Sequence, residues 1–227
     1  MQLKLFGKSL LLASLCAPML AQADVGIYAK GGTLGLGGGV GFGISDAVTA
    51  RVGYTTLSLN RDINTSNVDY KGKFKIGGAE ALLDWHPFAG TFRVSGGLVF
   101  SRNKIDVDAK LNQATVDINN TTYNVSDIGS LNGTVKFKST VPYLGIGWGN
   151  VVGKEGNLHL VADIGVEYQG SPDVKLHGGC TTAFLASNPA ECAQLASDIK
   201  AEEKDLNNKV SDYKWWPVLN IGIAYRF

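Results

Sequence analysis

The side chains able to do chemistry are few and scattered. His86, His159 and His177 are the three histidines of the 227 residues. His177 has Ser171 and Asp173 nearby, residue types that make a hydrolytic triad, but a triad is defined by geometry and no spacing here enforces one. Glu80 and Asp84 share one face of any strand that contains them. Paired acids of this kind can carry acid–base chemistry, yet Arg51, Arg93 and Arg226 stand on corresponding faces elsewhere, with Asp163 and Glu167. Seven such groups read better as one set of ion pairs than as a reactive pair, because buried charges require partners. Cys180 and Cys192 lie in a polar segment without zinc-ligand spacing. The run from Gly35 to Gly43 opens no helix, so it is not a phosphate loop. The sequence therefore predicts no enzyme, no metal and no cofactor.

The elements that must position these residues alternate with period two. Val48, Ala50, Val52 and Tyr54 oppose Thr49, Arg51, Gly53 and Thr55. Ala79, Ala81, Leu83 and Trp85 oppose Glu80, Leu82, Asp84 and His86. Phe92, Val94, Leu98 and Phe100 follow a turn at Pro87–Gly90 and oppose Arg93, Ser95 and Gly97. The segments 143–148 and 158–169 repeat the pattern, with Asp163 and Glu167 on the polar face. Glycine is abundant, 29 of 227, nearly twice the usual share of about 7%. It falls on the polar face together with the charges. No apolar run is long enough for a helical membrane span, so any crossing must be by strands. Short turns at 45–47, 87–91 and 149–157 alternate with long connections at roughly 60–68, 105–133 and 170–213. Aromatic residues gather at strand ends. Trp85, Phe88, Phe92, Trp148, Tyr225 and Phe227 form one level, and Tyr54, Phe100, Tyr168, Trp215 and Trp216 the other.

Both ends of the chain carry targeting signals. Lys4 and Lys8 precede a short apolar stretch, Ser9 to Ala17, and Ala21-Gln22-Ala23 is a small-residue cleavage site. Residues 1–23 are thus expected to be a signal peptide, leaving 24–227 as one domain. Without Lys4 and Lys8, 19 of the 21 basic residues remain against 20 acidic ones, a net charge of −1. That balance argues against nucleic acid as a partner. An even pair of cysteines in an exported chain is expected to form the Cys180–Cys192 disulfide. At the other end, Asn220, Gly222, Tyr225 and the terminal Phe227 match the pattern of the C-terminal insertion signal of bacterial outer-membrane β-barrels. Taken with the alternation and the girdles, the chain resembles a small outer-membrane barrel of the OmpA/OmpX/OmpW type. The resemblance implies an all-β fold, an eight-stranded antiparallel transmembrane barrel with periplasmic termini and long extracellular loops, one carrying a short helix, inserted by the barrel-assembly machinery as a monomer.

Seven hairpin-sized segments are evident, and an even number is required. The first, Val25 to Ile44, is about twice the needed length and changes parity midway. A turn at Lys30-Gly31-Gly32-Thr33 makes eight. The alternative is one bulged strand there, with the missing strand in 105–133, where Ala114 to Val125 can pair on itself. In the loop 170–213, Asn188, Pro189 and Glu191 read as a helix start. Leu195, Ile199, Leu206 and Val210 then form a narrow stripe directed at the barrel mouth or at lipid. An eight-stranded barrel has an interior just wide enough for side chains to fill. Arg51, Glu80, Asp84, Arg93, Asp163, Glu167 and Arg226 are accordingly expected to plug it, giving a structural or surface-interaction protein. The alternative is a narrow channel for small solutes or ions. Lys71, Lys73, Lys75, Lys136 and Lys138 share parity with outward residues, about 25 Å above the lower tryptophans at ~3.3 Å per residue and about 40° tilt. They are expected to meet lipopolysaccharide phosphates.

Overall fold

A computed structural model describes residues 24–64, 69–110, 114–153 and 158–227; the expected signal peptide lies outside them. In chain order the strands are β1 (Val25–Gly32), β2 (Gly35–Ser45), β3 (Val48–Asn64), β4 (Asp69–Trp85), β5 (Phe92–Ser101), β6 (Lys104–Lys110), β7 (Thr115–Ile118), β8 (Thr121–Asn124), β9 (Ile128–Lys136), β10 (Thr140–Trp148), β11 (Leu158–Tyr168), β12 (Asp173–Cys180) and β13 (Trp215–Arg226). Two helices, α1 (Thr182–Ser187) and α2 (Pro189–Val210), separate the last two strands.

Eight strands close into an antiparallel barrel. β1 to β5 pair in sequence, β5 pairs with β10, β10 with β11, β11 with β13, and β13 returns to β1. The first segment does split in two. Its turn lies at Thr33-Leu34 and not at 30–33, so Lys30 stays inside β1, and Leu34 folds inward, buried. The outer surface of the barrel is a belt of exposed apolar residues, including Leu36, Leu83, Leu144, Leu160 and Ile221. Such a belt around a closed, polar-filled sheet is the surface of a membrane-spanning barrel. Phe92 packs edge-on to Trp148 at the end bearing the termini, and Tyr168 packs on Trp215 at the far end. Trp216 does not join that girdle. Its parity is that of Val218, and it packs inward on the lumenal apolar cluster and on Phe137.

The long connections expected at 60–68 and 105–133 are largely strand. β3 and β4 remain paired from Val48↔Trp85 out to Asn64↔Asp69, without a shift of register. Beyond the rim, β4 exchanges its neighbour β5 for β6, and the ladder continues in step: Gly78 faces Ser101 and Lys75 faces Lys104. β6 pairs with β9, and β9 with β12. The far halves of β3 and β4 thus join β6, β9 and β12 in a sheet that projects from the barrel, which we call the module. Gly77 marks the exit. Its φ is +114°, and a Cβ there would lie 2.2 Å from the Thr55 carbonyl oxygen, so only glycine fits.

The module has a core of its own. The helix expected from Asn188-Pro189 runs 22 residues as α2, longer than the short helix anticipated. Its stripe packs neither on lipid nor in the mouth. Leu195 and Ile199 are buried with Ile118 and Ile128 against the module sheet. The segment Ala114–Val125 does pair on itself, as the hairpin β7–β8, but outside the barrel. Asn119 and Asn120 hold φ values of 50° and 62° at its tip, the positive-φ pair of a tight two-residue hairpin turn. β12 is an edge strand whose free backbone is occupied by α2. Val174 N–H donates to Asn207 Oδ1 at 2.9 Å, Asn207 Nδ2 donates to the Val174 carbonyl at 2.8 Å, and Leu176 N–H donates to Glu203 Oε2 at 2.7 Å. Covering an edge in this way removes a site for unwanted strand pairing. The Cys180–Cys192 disulfide joins the outer end of β12 to the first turn of α2.

A polar clamp ties the hairpin to the helix. Tyr123 Oη donates to Asp198 Oδ2 at 2.5 Å, and Asn119 Nδ2 donates to Asp198 Oδ1 at 3.1 Å. These hydrogen bonds, that from Tyr123 first, hold the Asp198 carboxyl below its ordinary range. Burial and the same carboxylate push the Tyr123 phenol up to about 12. A depressed carboxyl stabilises the fold at pH above its ordinary pKa, and that contribution is lost as pH falls through the folded value. Amide-exchange protection of β7–β8 is therefore expected to drop below about pH 4, with Tyr123→Phe moving the onset upward. Protection that is flat between about pH 5 and 2 in both proteins would contradict the clamp.

Candidate functional site: the barrel lumen

The lumen is filled in storeys, each set by which residues of neighbouring strands share register. Near the terminal end, Val151 of the β10–β11 turn enters the barrel and packs with Tyr28, Val161 and Ala224. Above it lies a quartet of two arginines and two aspartates. Arg51 contacts Asp84 at 2.5 and 2.9 Å and Asp163 at 3.2 Å. Arg93 contacts Asp163 at 2.7 Å and Asp84 at 3.7 Å, and also donates to the carbonyls of Trp148 and Gly149. Ser95 donates to Asp84 at 2.6 Å. All four charged side chains are buried. Two positive and two negative groups cancel, and Arg93 and Asp84 gain backbone and hydroxyl partners, while Arg51 Nε and Arg93 Nε are held by the ion pairs alone and make no hydrogen bond among the described residues. That arrangement makes a buried charge cluster tolerable.

One storey further, Lys30 Nζ sits 2.6 and 2.7 Å from the two oxygens of Glu80, and Tyr28 Oη donates to Glu80 Oε1 at 2.8 Å. The Tyr28 ring also lies 5.7 Å from the Arg51 guanidinium carbon, linking the two storeys. Next comes an apolar layer of Leu34, Leu82, Val99, Val141, Tyr143 and Val218, backed by Ile76 and Trp216. The space beside several inward glycines is occupied. A Cβ on Gly39 or Gly53 would lie 2.6 or 2.3 Å from Tyr28 Oη, and one on Gly147 would lie 2.9 Å from the Arg93 guanidinium. Their absent side chains are the space into which the large inward residues fit.

The seven charges anticipated as one network are divided by the structure. Arg51, Asp84, Arg93 and Asp163 come together. Glu80 pairs with Lys30 and Tyr28, neither of which the sequence reading selected, because Gly31-Gly32 made Lys30 look like part of a turn. The alternation of Ile27 and Ala29 with Tyr28 and Lys30 was the signal available. Arg226 stands apart at the terminal rim, with Asp24 at 2.6 Å and the Gly153 carbonyl at 3.0 Å; the Val151 storey lies between it and the quartet. Glu167 is wholly buried, and neither oxygen has a hydrogen-bond partner among the described residues. Its register neighbours are Tyr143 and Trp216, at the apolar layer and beyond the reach of the arginines.

The other candidate groups stay separate. His86 Nδ1 meets the Gly90 carbonyl at 3.1 Å, His159 lies on β11 opposite Ala224, and His177 lies on β12 opposite Asn132. Ser171 gives its hydroxyl to the Ser211 carbonyl. Among the described residues no group of His, Cys, Asp or Glu is placed to hold a metal.

No family model matches the chain, and no curated protein matches it. Solved structures do. CarO2 of Acinetobacter baumannii superposes with a TM-score of 0.59 at 21% identity, covering 91% of this chain and 100% of its own. CarO of the same organism gives 0.53 at 22%, covering 90% and 98%. The fold is that of a small outer-membrane β-barrel. At these identities the likeness speaks for the architecture and not for an activity.

The quartet and the orphan carboxylate make opposite demands on stability. Asp84→Asn leaves two buried guanidinium groups short of charge and is expected to cost about 3–5 kcal/mol. Glu167→Leu removes a buried acceptor pair that nothing satisfies and is expected to be neutral or stabilising. The midpoint of the heat-induced mobility shift on gels measures both. Equal losses in the two variants would refute this division of the lumen.

Proposed function

We propose that the chain is a bacterial outer-membrane barrel with periplasmic termini, that its lumen is a plug, and that its function resides in the module it presents outside the cell. The observation carrying this reading is the succession of storeys: a turn inserted at one end, a neutralised quartet, the Lys30–Glu80 pair and an apolar layer, all filling one bore. A barrel that serves only to anchor and present has no need of an aqueous path, and an eight-stranded bore filled by side chains provides rigidity in its place. No catalytic role is part of the proposal. One observation favours a narrow conduit as the second reading: Glu167 faces the lumen with no hydrogen-bond partner among the described residues, one storey from the Lys30–Glu80 pair. Planar-bilayer recordings of the purified protein decide between the two. Silence across many reconstitutions is expected. Stable discrete openings whose conductance changes in Arg93 or Glu167 variants would reject the plug.

Lipopolysaccharide is the partner proposed for the module's membrane-proximal face. Lys71, Lys73 and Lys75 stay on the exposed side, in unbroken register with Leu83 and Trp85. The ladder also supplies a lysine that the sequence reading left out. Lys75 lies directly opposite Lys104, and Lys104 directly opposite Lys136. Like charges so placed on adjacent strands destabilise a sheet. The nearest relief is Asp106, which takes Lys104 at 2.7 Å and the Thr134 hydroxyl at 2.9 Å. Partial burial works against ionisation of Asp106, but these two contacts hold its carboxyl below the ordinary range. Asp173 lies directly opposite Lys136 on β12, so two carboxylates against three lysines leave the row with one net positive charge at the edge of the apolar belt, the level of lipid A phosphates. Lys138 stands beside the row, against Gly170. The triple replacement of Lys75, Lys104 and Lys136 by Ala is expected to abolish the thermal stabilisation that added lipopolysaccharide gives in detergent. Dephosphorylated lipopolysaccharide is expected to give none to either protein. An undiminished effect on the triple variant would exclude the row as the binding site.

A further inference from the structure

The module is not packed solid. Between its sheet, the β7–β8 hairpin and α2 lies a cleft of about 360 Å³. Val107, Leu131, Val135, Leu176 and Leu206 supply its apolar walls. That size falls in the range of small-molecule sites, which are mostly apolar with a few placed polar groups. Left to water alone, such walls forgo the burial that drives the rest of the fold.

The placed polar groups here are carboxylates. Asp117 and Glu202 line the cleft, and both also line an adjoining polar recess of about 510 Å³ with Asn119, Asn120 and Thr122. The two acids therefore stand on the boundary between an apolar space and a polar one. Both are fixed there by neutral donors: Thr122 Oγ1 donates to Asp117 Oδ1 at 2.6 Å, and the Asn119 N–H donates to Glu202 Oε2 at 3.3 Å. In the same recess Asp205 is already neutralised by Lys209 at 2.7 Å.

We propose that this cleft is a binding site for a compact apolar molecule bearing a cationic group, an alicyclic or aryl amine. The apolar body would displace water from the walls, and the ammonium would lie at the Asp117–Glu202 boundary. Charge complementarity selects this occupant over a neutral hydrocarbon or an anionic lipid tail. The site is separate from the lumen and from the lysine row, so it stands whether or not the barrel conducts.

The test uses the mature protein in lipid nanodiscs, with empty nanodiscs as the partition control. Three probes share one body: adamantylammonium, adamantanol and adamantanecarboxylate. Methyl NMR of leucine and valine reports where each binds. Adamantylammonium is expected to shift the Leu131, Leu176 and Leu206 methyls saturably, with affinity at least roughly tenfold above that of the carboxylate, the preference one partly screened charge supplies. Asp117→Asn and Glu202→Gln should each erode that preference while leaving adamantanol unaffected. Val135→Trp, which fills the cleft, should abolish binding of all three; Leu206→Phe on the helix is a second filling variant should the first fail to fold. The proposal is overturned if the three probes bind alike, if the responding methyls lie elsewhere, if the acid variants keep the full preference, or if the protein is a stable dimer with the cleft buried between copies.

Discussion

Arg93 shows what the whole barrel depends on. Its guanidinium is fully buried in the lumen, toward the end of the barrel that bears the termini, where an unpaired charge would be prohibitive. It is accommodated by Asp163 on β11, Asp84 on β4 and two carbonyls at the end of β10. Those partners are in place only if the strands close at this number and in this register. A slip of one residue would send every inward group to the lipid face. The quartet thus specifies the closed sheet as much as the closed sheet shelters the quartet. The glycines follow from the same requirement, since Gly147 must lack a side chain where Arg93 crosses it.

The sequence made the barrel legible through its strongest regularity, a period of two with large apolar residues on one side and charge with glycine on the other. Arg51, Asp84, Arg93 and Asp163 were recoverable from parity alone. Where the sequence misleads, a local signal competes with parity. Gly31-Gly32 resembles a turn, so Lys30 was lost from the lumen. Trp215 and Trp216 together resemble a girdle, although adjacent residues must face opposite ways and only Trp215 faces outward. Glu167 has the right parity for the network, but parity does not give height along the axis, and its storey is apolar. The strand extensions were hidden for a different reason. Their charged and polar residues look like loop composition when no partner strand is in view.

Those extensions account for the rest of the molecule. Above the rim β1, β2 and β13 end, while β3, β4, β6, β9 and β12 stay paired. A closed surface becomes an open sheet, and its concave side loses the strands that faced it across the bore. α2 and the β7–β8 hairpin replace them. The disulfide and the Tyr123–Asp198 bond fix this cover at the far end, and Asn207 and Glu203 occupy the free edge of β12. The cover meets the sheet firmly near Leu195 and Ile199 and leaves a cleft toward Leu206, walled on one side by the hairpin.

A single strand records the passage between two solvents. Along β4 the register with β3 never shifts, so its two faces can be followed from one end to the other. On the exposed face Trp85, Leu83, Ala81 and Ala79 give way to Lys75, Lys73 and Lys71. On the other face Asp84 and Glu80, with Leu82 between them, give way to Ile76 and Phe74. The exposed face inverts in polarity between residues 75 and 79, and the other face loses its charges there, with no change in which way the side chains point. Neither strand propensity nor pairing requires such an inversion. It follows if the medium outside the sheet changes from hydrocarbon to water at that level, while the space inside changes from a bore that must neutralise charge to a core that must exclude water. Gly77 and the opposing Asn103, whose side-chain oxygen accepts the Gly77 N–H at 2.9 Å, lie at this boundary. The inversion places the membrane's edge on the chain independently of any aromatic girdle, and it leaves the Lys75–Lys104–Lys136 row as the first residues beyond it.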